Sequence, residues 1–491
     1  MKQILNTLSN KSILILGLGR EGLSTYLFLR KYFPDKEIAF ADKKNLTELE
    51  EKFQALIKKD KNLKFKLGKN HLKELEKYDL IFKTPGIPAS LAQIKKALQK
   101  GTKLSSNTQL FFEIMQQQKN NLGPTIIGVT GTKGKSTTAS LIYHVLKENK
   151  LDTILIGNIG TPPLSLVDQI ESKAKVVIEL SSHQLSELTL PPQIAVVQEI
   201  TVEHLDYYHS VDEYVEAKSA ITRYQKNDKY KVIYNPNFQK TTQLAKLSKG
   251  QHLKHGLQEQ KDLQVYIKDD WVIFNKLGAQ NNGNEEEKII KTNDIPLLGK
   301  HNLFNVMPAI IIAKAFGLPN AKISAAIKNF KGLPHRLELV AKTKGVKYYN
   351  DSLATTPEAT ISAIESLQSQ LPADNQIILL AGGHERLLDY SPLATEILKN
   401  KVKTLILFPT TGKRIWKEIT QNASYKNLKK TEKTKLKHFF VKNMHEAITL
   451  ASKIAKEGDV VLLSPASASF GLFKDYKDRG EQFKKEIDNL A

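Results

Sequence analysis

Short runs of consecutive apolar residues punctuate the chain, each closing on glycines or polar side chains. Between them lie longer stretches in which apolar positions return every three or four residues. Runs of the first kind read as strands buried on both faces, and stretches of the second as helices with one apolar stripe laid against a sheet. The first series predicts strands at 12–16, 38–41 and 80–83, with helices at 23–31 and 91–99. The second opens with an apolar run at 126–129 and a helix at 139–147. It continues with strands at 176–178 and 194–197 and a helix at 211–224, and ends in an apolar helix at 307–316. The third predicts strands at 377–380, 404–408 and 460–463. Such alternation predicts an α/β fold with mainly parallel sheets.

Two breaks divide the pattern. One is a polar linker at 116–123; the other is Leu333-Pro334-His335-Arg336-Leu337-Glu338, where proline fixes the backbone before a new set of strands. The expected domains are a Rossmann-like N-terminal domain at 1–118, a central P-loop ATPase-type domain at 119–333 and a Rossmann-like C-terminal domain at 334–491. A length of 491 residues suits three domains of ordinary size. The polar stretch 251–293 reads as a β-rich insertion with a turn at Asn281-Asn282-Gly283-Asn284.

Composition narrows the function. Hydrophobic residues make up 41% of the chain, enough for real cores, and no apolar run is long enough to span a bilayer. Residues 1–10 lack the apolar centre of a signal peptide, so a cytoplasmic protein without membrane insertion is expected. The absence of cysteine excludes disulfides, thiolate catalysis and Cys-ligated metals. A net charge of +22 raises the question of nucleic acid, but the lysines are spread along the chain and no helix-turn-helix, zinc finger or RNP pattern occurs. No nucleic-acid partner is expected. A basic surface also suits anionic nucleotides.

The chemistry centres on Ile126-Ile127-Gly128-Val129-Thr130-Gly131-Thr132-Lys133-Gly134-Lys135-Ser136-Thr137-Thr138, a strand running through a glycine turn into a helix. Backbone N–H groups of such a turn curl around a polyphosphate, a lysine reaches its terminal groups and a hydroxyl meets Mg²⁺. Val129 stands where the usual pattern has its first glycine, so only the second half of the motif is intact. Glu179 and His204 fall at or just beyond strand ends that should face Ser136, where a magnesium ion would find oxygen and nitrogen ligands. Nearer the N-terminus, Gly17-Leu18-Gly19-Arg20-Glu21-Gly22 follows the first strand, and Asp42 closes the second, the layout of a nucleotide-binding βαβ unit. Lys218 lies on a helix face, where a lysine is ordinarily solvated.

The order of motifs across nearly the whole chain resembles the Mur ligase family. The matching stretches are Gly17-Leu18-Gly19 with Gly22-Leu23-Ser24, Thr84-Pro85-Gly86-Ile87, Thr130 through Thr137, Gly157-Asn158-Ile159-Gly160, Glu179-Leu180-Ser181-Ser182, His204 with Asp206, Lys218, and His301-Asn302 with Asn305. They continue with Leu333 through Glu338, Asn350-Asp351-Ser352 with Ala354-Thr355, and Ser464-Pro465-Ala466-Ser467-Ala468-Ser469.

The resemblance implies an ATP-dependent amide ligase of the D-glutamate-adding branch. Such an enzyme extends UDP-N-acetylmuramoyl-L-alanine through an acyl phosphate in cytoplasmic peptidoglycan precursor synthesis. It implies that Gly131, Thr132, Lys133, Gly134, Lys135, Ser136 and Thr137 hold the ATP phosphates, and that Asn302, Asn305, Arg336 and Asp351 surround adenine and ribose. Ser136 and Glu179 would take one Mg²⁺ and His204 a second, with Lys218 carbamylated into a further anionic ligand. Lys135, Glu179, His204 and Lys218 are thus the implied catalytic set. Gly19, Arg20, Asp42, Thr84 and Gly86 would border the uridine diphosphate, with Asn158 and Ser181 near the muramoyl arm, and Thr355, Arg386, Ser469 and Tyr476 would form the amino-acid pocket. A monomer acting on small molecules is implied.

The chain departs from the family pattern at several places. Leu353 replaces a lysine, Arg386 stands for a lysine, Gly471 and Leu472 replace a polar pair, and Asn107 and Gln109 stand where acids are commoner. These changes leave a different incoming amino acid open. A P-loop regulator with a nucleic-acid-binding basic surface is the competing reading from another class.

Overall fold

The computed structural model describes residues 1–49, 51–117, 123–201, 203, 207–276, 285–368, 371–372, 374–433 and 435–490. The chain divides into two compact units, Met1–Asp294 with Leu303–Lys328, and Ile295–Asn302 with Asn329–Ala491.

The first unit holds two parallel sheets. One has five strands in the order Leu63–Leu67, Ile38–Asp42, Ile13–Leu16, Leu80–Lys83, Lys103–Ser105. Chain order reverses between Ile13–Leu16 and Leu80–Lys83, which pair in parallel register, and a crevice opens at the carboxyl ends of strands at such a switch point. The other sheet has six strands in the order Gln251–Lys254, Lys231–Tyr234, Ile194–Val197, Thr125–Thr130, Lys175–Glu179, Thr153–Gly157. Here the switch point flanks Thr125–Thr130, which lies between Ile194–Val197 and Lys175–Glu179. All residues of Ile13–Leu16, Leu80–Lys83 and Ile194–Val197 are buried, as uninterrupted apolar runs require. A three-stranded antiparallel sheet, Val265–Lys268, Trp271–Lys276 and Glu285–Lys291, follows, so the polar stretch 251–293 is indeed β-rich. Its first strand, Gln251–Lys254, belongs instead to the central parallel sheet. The expected turn at Asn281–Asn284 lies outside the described residues, as do residues 118–122 of the expected linker.

In the second unit the six strands run Glu338–Thr343, Val346–Asn350, Val460–Leu463, Ile377–Gly382, Val402–Phe408, Lys437–Phe440, all parallel except the first pair. Two buried clusters cover its faces, one with Leu379, Leu405 and Leu462, the other with Leu380, Ile406 and Leu463. Successive strand residues therefore serve opposite cores.

Two helices begin earlier than their apolar periodicity suggests. The helix after the glycine turn spans Lys135–Glu148, and the apolar helix spans His301–Ala315. The first begins with the polar Lys135-Ser136-Thr137-Thr138, and the second with His301-Asn302 ahead of Leu303 and Phe304, so polar side chains mask each start.

Candidate active site

The strand Thr125–Thr130 delivers the chain to Gly131, and the helix Lys135–Glu148 starts four residues later. Gly134 sits at its N-cap with φ 79°, and a Cβ there would lie 2.3 Å from Asn305 Oδ1. Only glycine lets the turn adopt this left-handed conformation and close against Asn305. Thr132 N–H donates to Glu199 O at 2.7 Å, its Oγ1 accepts from Thr201 N–H at 3.0 Å and lies 2.9 Å from Tyr214 OH. Lys135 Nζ donates to Thr132 O at 2.8 Å, so its ammonium is folded back over the turn. No described side chain caps the helix. Its N-terminal end, with Lys133 exposed beside it and Ser136 half-buried, can receive an anion.

Glu179 ends the neighbouring strand, register-paired with Val129, and is buried. Its Oε1 accepts from Asn158 Nδ2 at 3.2 Å, while Oε2 is buried without a hydrogen-bond partner. A buried carboxylate oxygen left unsatisfied is costly unless a cation meets it, so the donor set fits a hard divalent ion. Among the described residues no group of three or more His, Asp or Glu side chains gathers for a metal. His204 and Asp206 lie outside the described residues.

Lys218, on the helix Val211–Arg223, is only 1% exposed and donates from Nζ to Gly131 O at 2.8 Å, with Tyr214's ring centroid 4.7 Å away. Burial, then repulsion from Lys135, lowers its pKa to about 7. An amine so placed holds a sizeable neutral fraction at neutral pH, the form that attacks electrophiles such as CO₂.

At the N-terminal sheet's switch point, Asp42 spends both carboxylate oxygens on the backbone: Leu18 N–H donates to Oδ2 at 2.6 Å and Lys44 N–H to Oδ1 at 2.8 Å. A Cβ on Gly22 would lie 2.1 Å from Gly17 O, so the helix Arg20–Tyr32 packs against its own turn only with glycine there. Space above Gly19 and Gly86 is open, with nothing within 4 Å of a Cβ built at either. Thr84 N–H donates to Leu16 O at 2.9 Å, and the Arg20 guanidinium donates to Gly160 O in the loop that carries Asn158. Ser181 caps a short helix, accepting from Gln184 N–H at 3.2 Å while Gln184 Oε1 accepts from Ser181 N–H at 2.9 Å.

In the second unit, Asp351 is buried and both its oxygens are engaged, Oδ2 by Ser464 Oγ at 2.8 Å and Oδ1 by Leu337 N–H at 3.0 Å. Burial outweighs those bonds and pushes its carboxyl up to about 7. Arg336, one residue before Leu337, is exposed, and Asn302 Nδ2 donates to Leu298 O at 2.6 Å. Arg386 is exposed with its guanidinium 5.9 Å from the Phe470 ring centroid. The adjacent Glu385 is committed to Arg414 at 2.5 Å, which holds its carboxyl below the usual range. Ser469 is buried, Thr355 is half-buried, and Tyr476 opens the helix Tyr476–Asp488 with its carbonyl accepting from Ser352 Oγ at 2.7 Å. Nothing in the sequence singles out Arg479, since helix arginines ordinarily face water. Here it is fully buried, donating to Ser352 Oγ at 2.9 Å, Ser352 O at 2.8 Å and Ser467 O at 3.0 Å. It ties the Asn350–Leu353 segment to the Ser464–Ser469 loop.

The first unit thus brings the phosphate turn, Asn305, Glu179, Asn158 and Lys218 to the carboxyl end of the central sheet, and Arg20, Asp42, Thr84 and Gly86 to that of the N-terminal sheet. The second carries Asn302, Arg336, Asp351, Thr355, Arg386, Ser469 and Tyr476. These features define a modular α/β fold whose central sheet leads into a glycine–lysine–serine turn able to receive an anion.

Comparison with known proteins makes the class specific. Residues 11–106 match the model of the Mur ligase MurD-like N-terminal domain, 129–313 the Mur ligase middle domain, and 335–467 the Mur ligase glutamate ligase domain. The UDP-N-acetylmuramoylalanine–D-glutamate ligase of Acetivibrio thermocellus is 33% identical over 483 residues, 98% of this chain and 97% of the relative. That of Clostridium acetobutylicum is 34% identical over 484 residues, with the same coverages of 98% and 97%. Among solved structures, MurF from Acinetobacter baumannii superposes with a TM-score of 0.57 at 13% identity, covering 99% of this chain and 98% of that one. The UDP-N-acetylmuramate–alanine ligase MurC from Thermotoga maritima gives 0.55 at 17% identity, covering 98% and 100%. The chain belongs to the Mur ligase family, whose members are ATP-dependent ligases.

Proposed function

We propose that the chain joins D-glutamate to UDP-N-acetylmuramoyl-L-alanine at the expense of ATP, a step of peptidoglycan precursor synthesis, as its relatives are named for doing. The observation that carries the proposal is Lys218: a buried amine, its pKa lowered to about 7, bonded to the carbonyl of Gly131, the first glycine of the phosphate turn.

In the reaction, the alanyl carboxylate oxygen attacks the γ-phosphorus and ADP leaves. The amine of D-glutamate then attacks the acyl carbon, the C–N bond forms, and phosphate departs with the acyl C–O electrons. A carboxylate is a poor electrophile, and ATP supplies the leaving group it lacks. Residues 131–137 cradle the phosphates, with Lys133 and Lys135 countering the charge that builds between two anions. Asn302, Asn305 and Arg336 take the nucleoside. Asp351 acts one step back, by holding the backbone beside Arg336.

Glu179 and the Ser136 hydroxyl would hold one magnesium ion. His204 and a carbamate on Lys218, formed as RNH₂ + CO₂ → RNHCOO⁻ + H⁺, would serve the second. When bound, magnesium supplies countercharge to the phosphate oxygens. Gly19, Arg20, Asp42, Thr84 and Gly86 receive the uridine diphosphate, and Asn158 and Ser181 the muramoyl arm. Thr355, Ser469, Tyr476 and Arg386 form the amino-acid pocket. Because Glu385 is neutralised by Arg414, the Arg386 guanidinium remains for an incoming carboxylate, bidentate where a lysine would be a point charge.

The three domains proposed are 1–118, 119–333 and 334–491. A monomeric, cytoplasmic enzyme without a nucleic-acid partner accompanies the proposal; no described helix is long and apolar enough to cross a membrane.

Mass analysis of the product made from UDP-N-acetylmuramoyl-L-alanine, ATP and a mixture of D- and L-amino acids tests it. A single D-glutamyl adduct is expected. Equal turnover with L-glutamate would reject the specificity, and preference for another amino acid would trace to Leu353 and Arg386.

A further inference from the structure

Glu21 occupies the first turn of the helix Arg20–Tyr32, the turn whose N-terminal end faces the crevice of the first sheet. An acid here should oppose the function proposed above. A carboxylate at a helix N-terminus satisfies the helix dipole itself and competes with any phosphate arriving there. Its surroundings resolve the conflict. Glu21 Oε1 accepts from Gln184 Nε2 at 2.7 Å, while Oε2 is buried with no hydrogen-bond partner. The orientation of the Gln184 amide is fixed from its other end, because Oε1 accepts from Ser181 N–H at 2.9 Å and Ser181 Oγ at 3.0 Å. Nε2 must therefore be the group that meets Glu21. The chain Glu21–Gln184–Ser181 spans from the glycine turn of the N-terminal sheet to the loop that follows Glu179 in the central one.

The charges around Glu21 do not supply it with a counterion. Lys83 is consumed by Glu187, 2.5 Å away, and Arg20 by the carbonyl of Gly160. Of the facing groups, Glu187 raises the Glu21 pKa while Lys83 and Arg20 lower it, and burial, the largest influence, lifts it to about 7. With no described cation free to meet Oε2, burial disfavours the ionised form of Glu21 and favours the uncharged acid.

We propose that Glu21 is a positioning residue for the UDP-bearing substrate. As an uncharged acid it braces the Glu179–Ser182 loop against the Gly17–Gly22 turn through Gln184 and leaves the helix N-terminus free for the diphosphate. This rests on the ligase reading given above. Diphosphate affinity is highest with Glu21 protonated and falls as it ionises, since the new charge lies in the first turn of the helix whose N-terminus would receive the diphosphate and has no counterion.

The test is the KM for UDP-N-acetylmuramoyl-L-alanine, at saturating ATP and amino acid, for the wild-type chain, E21Q and E21A from about pH 6.5 to about pH 8.5. Isothermal titration with UDP alone over the same range provides a readout independent of turnover. Wild-type KM and the UDP dissociation constant should each rise by about fivefold across the range, with little change in kcat. E21Q, a permanent mimic of the neutral acid, should keep a low and flat profile. E21A should weaken binding at every pH, because Gln184 loses its acceptor. A wild-type profile as flat as that of E21Q, or one that E21Q reproduces in full, overturns the proposal. Should E21A fail to fold, E21Q against wild type still decides. Failure of the wild-type chain to use any UDP-sugar substrate would instead bring down the ligase reading, and this inference with it.

Discussion

Lys218 sits on a helix, where a lysine ordinarily stretches its ammonium into water, yet here it points inward to the carbonyl of Gly131. Its sequence context gave no hint of this, and only the family resemblance singled it out. Glu179 was easier to place, because a carboxylate at the end of a buried parallel strand faces the ligand side of a sheet. The inward position has an energetic signature. The folded-state pKa of about 7 lies below the ordinary lysine value of 10.5, so between those values the folded chain carries fewer protons than the unfolded one. Stability therefore rises with pH through that window, and the full cost of burying the charge is present below it. In metal-free, CO₂-free buffer, Lys218→Met should raise the melting temperature more at about pH 6 than at about pH 9. The corresponding difference in unfolding free energy should be on the order of a few kcal/mol, and with magnesium and bicarbonate restored amide formation should fall by at least about a hundredfold. Equal stabilisation at both pH values, by thermal denaturation, would show that the amine is not held uncharged.

At the scale of elements, what could be read from the sequence follows burial. Strands buried on both faces, such as Leu80–Lys83, Ile194–Val197 and Val460–Leu463, stand where continuous apolar runs placed them. Strands such as Leu63–Leu67 and Lys437–Phe440 escaped notice. They lie at sheet edges, where Lys64 and Lys66 alternate with the apolar residues of the first and Lys437-His438 fills the first half of the second. The Glu338–Thr343 and Val346–Asn350 hairpin was missed for the same mixed pattern. Long-range polar links were equally hidden. Lys83 ends a strand of the N-terminal sheet, and its fully buried ammonium meets Glu187, beyond the Ser182–Leu185 helix of the central region, at 2.5 Å. Removing one partner strands the other charge in a dry place. Lys83→Met should thus cost about 3–5 kcal/mol in chemical denaturation, and the double variant with Glu187→Leu should recover most of it. Additive losses would mean that the pair is not coupled.

For the whole molecule, the net charge of +22 is the property whose meaning the sequence left most open. Lysines spread along the chain rather than gathered in one run suit the attraction of small polyanions, the partners of the proposed reaction, better than a continuous track along a duplex. Both proposed nucleotide substrates carry several negative charges, so their encounter with the chain should weaken as salt shortens the range of the field. The chemical step proposed at the helix end beside Lys135, partly shielded from solvent, should be screened far less. Raising KCl from about 50 mM to about 500 mM should therefore increase the KM values for ATP and the UDP-sugar peptide several-fold with little change in kcat. Duplex DNA added at physiological salt should leave turnover unaltered. A kcat that falls in step with binding would mean that salt reaches the catalytic turn itself. Inhibition by DNA under those conditions would show that the basic surface serves a polymer, and would restore the nucleic-acid reading that the spacing of the lysines argues against.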